Sequence, residues 1–127
     1  MNIKSSKTLV EEALNIVKTI SPDEALKKVE NNECNLIDIR DVIELQNEGS
    51  IENSINVPRG LLEFYIHPES PLVEKEKLDL NKEIVLFCAA GGRSALAAKT
   101  LKEMGFDKVS HVAGGFNLMK NMGFKIK

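Results

Sequence analysis

The chain has no apolar run near the roughly 20 residues that a membrane helix needs, and Met1–Lys18 lacks the continuous apolar segment of a secretory signal. Neither membrane insertion nor export is expected, and the cytoplasm is the default location. There is no basic excess: 17 Lys and Arg face 19 Asp and Glu, for a formal net charge of −2. With nothing to neutralise a phosphate backbone, general nucleic-acid binding is not expected. Only two cysteines are present, Cys34 and Cys88. They make no disulfide framework and suit a compartment that keeps thiols reduced. Of the two histidines, His67 sits in a loop with no second ligand spaced to join it, so no metal site is expected. Internal repeats, linkers and low-complexity segments are also missing. The remaining picture, 127 residues with 43% hydrophobic and 28% charged, is one ordinary domain able to bury a core.

Within it one stretch stands out. Ile84–Val85–Leu86–Phe87 is apolar, β-branched and aromatic, too short for a helix and suited to a buried strand. It stops at Cys88. Two alanines and the pair Gly91–Gly92 follow, and then Arg93–Ser94–Ala95–Leu96–Ala97–Ala98, rich in helix formers. Strand, tight glycine loop and helix place a thiol beyond the carboxyl end of a strand, where open parallel sheets bind ligands. The unpaired N–H groups of a helix start favour an anion there. Glycines allow the loop amides to turn inward, and Arg93 adds a fixed positive charge. An ordinary thiol is about 3% thiolate at pH 7, and these features favour a larger share. The competing reading is a small buried hydrophobe, but packing needs neither the glycine pair nor Arg93. An accessible, anion-cradled thiolate is expected.

The rest of the chain alternates helices with strands. Leu9, Val10, Ala13, Leu14, Ile16 and Val17 have helical spacing, and Thr8 with Glu11 fits a capping box. Residues 1–17 are thus expected as an amphipathic N-terminal helix on the outside of a domain formed by 18–127. Lys18–Ile20 is a candidate strand. Ser21–Pro22–Asp23–Glu24 is a strong helix start, carrying a helix to about Glu30. Leu36–Ile39 is a core strand in which Asp38 needs a partner, and Cys34 at its amino end is expected to pack, far from Cys88. Residues 41–48 suit a short helix, and Ser54–Val57 a strand closed by Pro58. Arg59 begins one or two helical turns. It is either a second cation for an anionic ligand or solvent-facing, and the loop 67–71 is expected near the pocket mouth. Leu78 and Leu80 anchor a charged connector. After the helix from Arg93 to Met104, stopped by Gly105, come a strand at 109–112 and a final helix through Met122. His111 reads as a packed histidine. The alternation implies an α/β fold: an α/β/α three-layer arrangement with a mainly parallel central sheet.

Cys88–Ala89–Ala90–Gly91–Gly92–Arg93–Ser94 resembles the active-site loop of the rhodanese (thiosulfate sulfurtransferase-like) family, in a six-residue form from Cys88 to Arg93. Leu36–Ile37–Asp38–Ile39–Arg40 with Glu44, then Gly49–Ser50–Ile51 and Ser54–Ile55–Asn56–Val57–Pro58, is similar to its upstream pattern, and Gly114–Gly115–Phe116 to its C-terminal signature. The family usually has His where Ser50 stands and an aromatic where Leu118 and Met119 stand. The resemblance implies a single-domain rhodanese-like sulfurtransferase of the thiosulfate:cyanide type. Cys88 would take the sulfane sulfur of an anionic donor (thiosulfate, a polysulfide or a persulfide) as a persulfide. It would pass that sulfur to a thiol acceptor, a partner protein among the candidates. Ala89, Ala90, Gly91, Gly92, Arg93 and Ser94 would bind the donor, with no cofactor, while Asp38 and Arg40 would form a structural network behind that face. Two alternatives remain: a persulfide or redox sensor that does not turn over, and a phosphatase or arsenate reductase, whose loops on this scaffold are typically one residue longer.

Overall fold

Local capping chemistry sets where the helices begin. Ser21 Oγ accepts the N–H of Glu24 at 3.1 Å and Pro22 occupies the first turn, starting the helix Pro22–Glu30. In the computed structural model, which describes residues 1–127, the elements in order are α1 (Ser6–Leu14), β1 (Lys18–Ile20), α2 (Pro22–Glu30), β2 (Cys34–Asp38), α3 (Val42–Glu48), β3 (Ile55–Asn56), a 3-10 turn (Arg59–Leu61), α4 (Leu62–Tyr65), α5 (Pro71–Glu74), β4 (Glu83–Phe87), α6 (Gly92–Glu103), β5 (Val109–Val112) and α7 (Gly115–Met119). The strands form one five-stranded sheet in the order β1-β5-β4-β2-β3, and every pairing is parallel. All five strands therefore end on the same edge, and the segments leaving β2, β3, β4 and β5 gather there.

Alternation along the strands splits the core in two. Ile84, Leu86, Cys88 and Val109 face Ala97, Ala98 and Leu101 of α6. Leu36, Val85, Phe87 and Val112 face Ala25 of α2 and Phe116 and Met119 of α7. Each fully buried Leu, Ile or Phe on these faces contributes about 1.5–3 kcal/mol. Leu78 is buried and Leu80 packs against the first cluster, anchoring the connector as expected. No helix is long and apolar enough to cross a membrane.

Two expectations are corrected. The first helix is capped by Ser5, whose Oγ accepts the N–H of Thr8 at 3.1 Å, and not by Thr8. Two hydroxyls three residues apart compete for the same role, and the upstream one wins by adding a turn. The apolar stripe of α1 is also only partly used. Ala13 is buried, while Leu9, Leu14 and Ile16 are exposed. α1 rests on α6, and Lys102 Nζ donates to the Ile16 carbonyl at 2.8 Å.

Asp38 finds its partner two residues on. Both side chains are 0% exposed, with Arg40 Nη2 donating to Asp38 Oδ2 at 2.8 Å and Nε to both carboxylate oxygens at 3.1 and 3.2 Å. Nη2 also donates to the Gly49 carbonyl at 3.0 Å, and the guanidinium carbon lies 4.0 Å from the centre of the Phe116 ring. Removing one partner of such a pair strands the other charge without water. Asp38→Ala should destabilise the fold by about 3–5 kcal/mol, read as a lowered urea midpoint. An unchanged midpoint would contradict a structural role for the pair.

Candidate functional site

β4 ends at Phe87, and the chain turns at once through Cys88–Ala89–Ala90–Gly91 into α6. Gly91 makes the turn at φ +110°, a conformation that L side chains rarely adopt. Gly92 is already helical. The loop curls around its own sulfur: the N–H of Gly91 lies 3.1 Å from Cys88 Sγ, the N–H of Ser94 3.4 Å, and Ser94 Oγ 3.5 Å. Cys88 is only 1% exposed. The expected cradle is present, but the expected accessibility is not, because the loop folds over the thiol. The N–H groups of Ala89, Ala90, Gly92 and Arg93 meet no acceptor within the protein.

The loop is held from behind through its carbonyls. Phe116 N–H donates to the Cys88 carbonyl at 2.8 Å and Asn117 N–H to the Ala89 carbonyl at 3.0 Å. This approach depends on Gly115, at φ +53°, where a Cβ would lie 2.3 Å from the Cys88 oxygen. The Gly114–Gly115–Phe116 signature thus works as a glycine-permitted clamp on the thiol loop. Phe116 also carries Arg40 on its ring, joining the Asp38–Arg40 pair to the same support.

Other expected site residues lie differently. Arg93 is not free to meet a donor with its whole fork: Nη1 and Nη2 donate to Glu44 Oε1 and Oε2 at 2.7 and 2.9 Å. This bidentate pair, 41% and 24% exposed, pushes the Glu44 carboxyl below its usual range and the Arg93 guanidinium above its own. Arg59 is not brought to the loop. It pairs with Glu63 at 3.0 Å and donates to Thr100 Oγ1 at 3.2 Å, eight residues or about 12 Å along α6 from Gly92. The loop 67–71 lies off the mouth as well. Pro68 lines a cavity with Asp79, Leu80 and Asn81, which lead into the amino end of β4. His67 Nδ1 accepts the N–H of Glu69 at 3.2 Å. Cys34 is paired in register with Glu83, five residues before Cys88 and so about 17 Å from it. Burial pushes its thiol up to about 11.

Sequence reasoning saw His111 as a packed residue and missed its partners. It is 1% exposed, with Nδ1 2.9 Å from Ser94 Oγ and Nε2 2.9 Å from Thr19 Oγ1. Ser94, expected to bind a donor, is itself fully buried beneath the sulfur. The signal was strand phase: Val109 and His111 share the face that Leu86 and Cys88 present to α6.

The fold and loop together define a class, a parallel α/β domain that presents a cysteine in a cradle of amides. A family model for the Rhodanese-like domain matches residues 21–122, and the chain belongs to that family. It is similar to a solved structure from Rhodopseudomonas palustris, RPA3614, a protein of unknown function described as a possible tyrosine phosphatase (34% identity, 100% of this chain and 97% of that one, TM-score 0.85). It is also similar to the polysulfide-sulfur transferase homodimer of Wolinella succinogenes (35% identity, 95% and 85%, TM-score 0.72). The thiosulfate sulfurtransferase GlpE of Glaesserella parasuis is 28% identical over 97 residues, 76% of this chain and 81% of that protein. Against two longer relatives, from Bacillus subtilis and mouse, the chain spans about half their length, 49% and 54%. Sulfur transfer is the activity these relatives support at family level.

Burial holds His111 below its ordinary value of 6.5. As pH falls below about 6.5 the unfolded chain takes up a proton that the folded chain resists, so stability declines there. Denaturant unfolding at about pH 7.5 and about pH 5.5 should show this loss, and His111→Phe should flatten it. An identical slope in the variant would contradict the neutral buried ring.

Proposed function

We propose that the chain is a sulfurtransferase in which Cys88 carries sulfur as a persulfide. The Cys88 thiolate attacks the sulfane sulfur of an anionic donor such as thiosulfate. A new S–S bond forms as the donor's own S–S bond breaks, and sulfite departs with that bond's electron pair. A thiol acceptor then attacks the outer sulfur and releases Cys88 as thiolate. Two steps through a covalent intermediate replace one difficult transfer. No cofactor is needed for this chemistry.

The observation that carries this reading is the set of unpaired N–H groups at Ala89, Ala90, Gly92 and Arg93, in a loop whose other amides already bond to Sγ. Fixed donors of this kind stabilise an anion without reorganising. They suit the terminal sulfur of a persulfide and the leaving sulfite in turn. Arg93, fixed on Glu44, would supply a rigid positive edge and not a free fork. Val42, Ile43, Phe64 and Leu118 are exposed on segments that leave the carboxyl ends of strands, which favours a protein as acceptor. The phosphatase description of the Rhodopseudomonas relative names the alternative. A six-residue span from Cys88 to Arg93 with its arginine engaged supports a single sulfur atom over a tetrahedral oxyanion.

After incubation with thiosulfate and removal of the excess, mass spectrometry should show one added sulfur atom mapped to Cys88. Cys88→Ser should lose both the adduct and turnover to a thiol acceptor, with unchanged circular dichroism. Turnover retained in Cys88→Ser would contradict the mechanism.

A further inference from the structure

A buried thiol has a difficulty that an exposed one lacks: its proton must leave. Cys88 is 1% exposed and Ser94 and His111 are equally enclosed, at 0% and 1%. These three nevertheless form a continuous hydrogen-bonded line. Cys88 Sγ lies 3.5 Å from Ser94 Oγ, Ser94 Oγ 2.9 Å from His111 Nδ1, and His111 Nε2 2.9 Å from Thr19 Oγ1. Thr19 is exposed on β1, the edge strand, in register with His111. Both ring nitrogens meet hydroxyls, and no carboxylate holds the ring in one tautomer.

We propose that Ser94, His111 and Thr19 form a proton relay that passes the proton of the buried Cys88 thiol to the protein surface and, once reversed, stabilises the thiolate left behind. With the thiol protonated, S–H donates to Ser94 Oγ, the Ser94 hydroxyl to His111 Nδ1, and Nε2–H to Thr19 Oγ1. When a solvent base takes the Thr19 hydroxyl proton, each group hands one proton outward. The S–H bond breaks, its electron pair stays on sulfur, and every oxygen and nitrogen regains the number of protons it had. The line then runs the other way: Thr19 donates to Nε2, Nδ1–H donates to Ser94 Oγ, and the Ser94 hydroxyl donates to the sulfur anion. His111 is neutral at both ends of the exchange, as its burial favours; only the nitrogen that bears the proton changes. Hydrogen bonds aligned in series strengthen one another, so the reversed line stabilises the anion as well as releasing the proton. Ser94 touches the sulfur, while His111 and Thr19 act through it and are positioning residues. The Gly91 carbonyl, 3.3 Å from Ser94 Oγ, competes for the same hydroxyl.

The relay serves the sulfur chemistry proposed above, because the thiolate is the attacking form, but its test uses no sulfur donor. In a Cys34→Ala background Cys88 is the single thiol, and its thiolate is read by ultraviolet absorbance across pH. Arg93, the charged group that interacts with Cys88, and its own partners Glu44 and Asp41 are left unchanged. His111→Phe, which keeps an aromatic ring in the core, should cut the thiolate fraction at neutral pH by about tenfold, or about 1.4 kcal/mol. Thr19→Val, isosteric and exposed, should cut it several-fold, and Thr19→Ser should restore it. Curves for His111→Phe and Thr19→Val that match the parent would overturn the proposal. A loss in Thr19→Ser equal to that in Thr19→Val would overturn it too, by showing that packing and not the hydroxyl matters. A shift in His111→Phe without one in Thr19→Val would overturn the path to the surface. If His111→Phe does not fold, the Thr19 pair decides alone.

Discussion

The contact between Gly115 and the carbonyl of Cys88 governs this structure, because a Cβ placed 2.3 Å from that oxygen could not be accommodated without moving backbone. By allowing the turn after β5 to press against the turn after β4, it brings the Phe116 and Asn117 amides onto the Cys88 and Ala89 carbonyls. The loop is thereby fixed through its acceptors, and its donors stay unspent. Four of those donors have no partner in the protein, and two more already reach the sulfur. The same turn sets the Phe116 ring against Arg40, so the fully buried Asp38–Arg40 pair braces the loop from the layer behind.

This arrangement also distributes charge. Arg93 at the start of α6 has the length and sign to reach an anion, but Glu44 holds both of its terminal nitrogens. Positive character at the loop therefore comes chiefly from oriented peptide dipoles, reinforced by an arginine whose charge is largely balanced. Fixed dipoles of this kind stabilise an anion without reorganising. Beneath the sulfur, electrostatics give way to hydroxyl and imidazole, groups that can donate or accept.

Much of this was legible in the chain. The Leu36 and Ile84 strands, the Ser21–Pro22 helix start and the Cys88 loop rest on local signals, within one strand or one turn, and the structure has each of them. Gly114–Gly115–Phe116 was readable as a signature, while its function as a clamp needed the third dimension. What sequence reasoning missed was non-local. The Arg93–Glu44 pair spans 49 residues and the Ser94–His111 bond 17, and neither spacing has a periodic trace. Arg59 was misplaced for a related reason. Its backbone leaves the carboxyl edge as expected, with its N–H donating to the Ile39 carbonyl at 3.0 Å, but its side chain runs back along α6 to Thr100. Ser5 displaced Thr8 as a cap because competing local signals are settled by the helix that each permits.

The most direct test of the account is the crystal structure of the persulfidated chain, prepared by exposure to thiosulfate and freed of excess donor. The account predicts a second sulfur on Cys88 Sγ, enclosed by the loop and within hydrogen-bonding distance of at least two of the Ala89, Ala90, Gly92 and Arg93 amides, with the Arg93–Glu44 pair intact. An outer sulfur that points into solvent away from these amides, or sulfur carried on Cys34 instead, would contradict it.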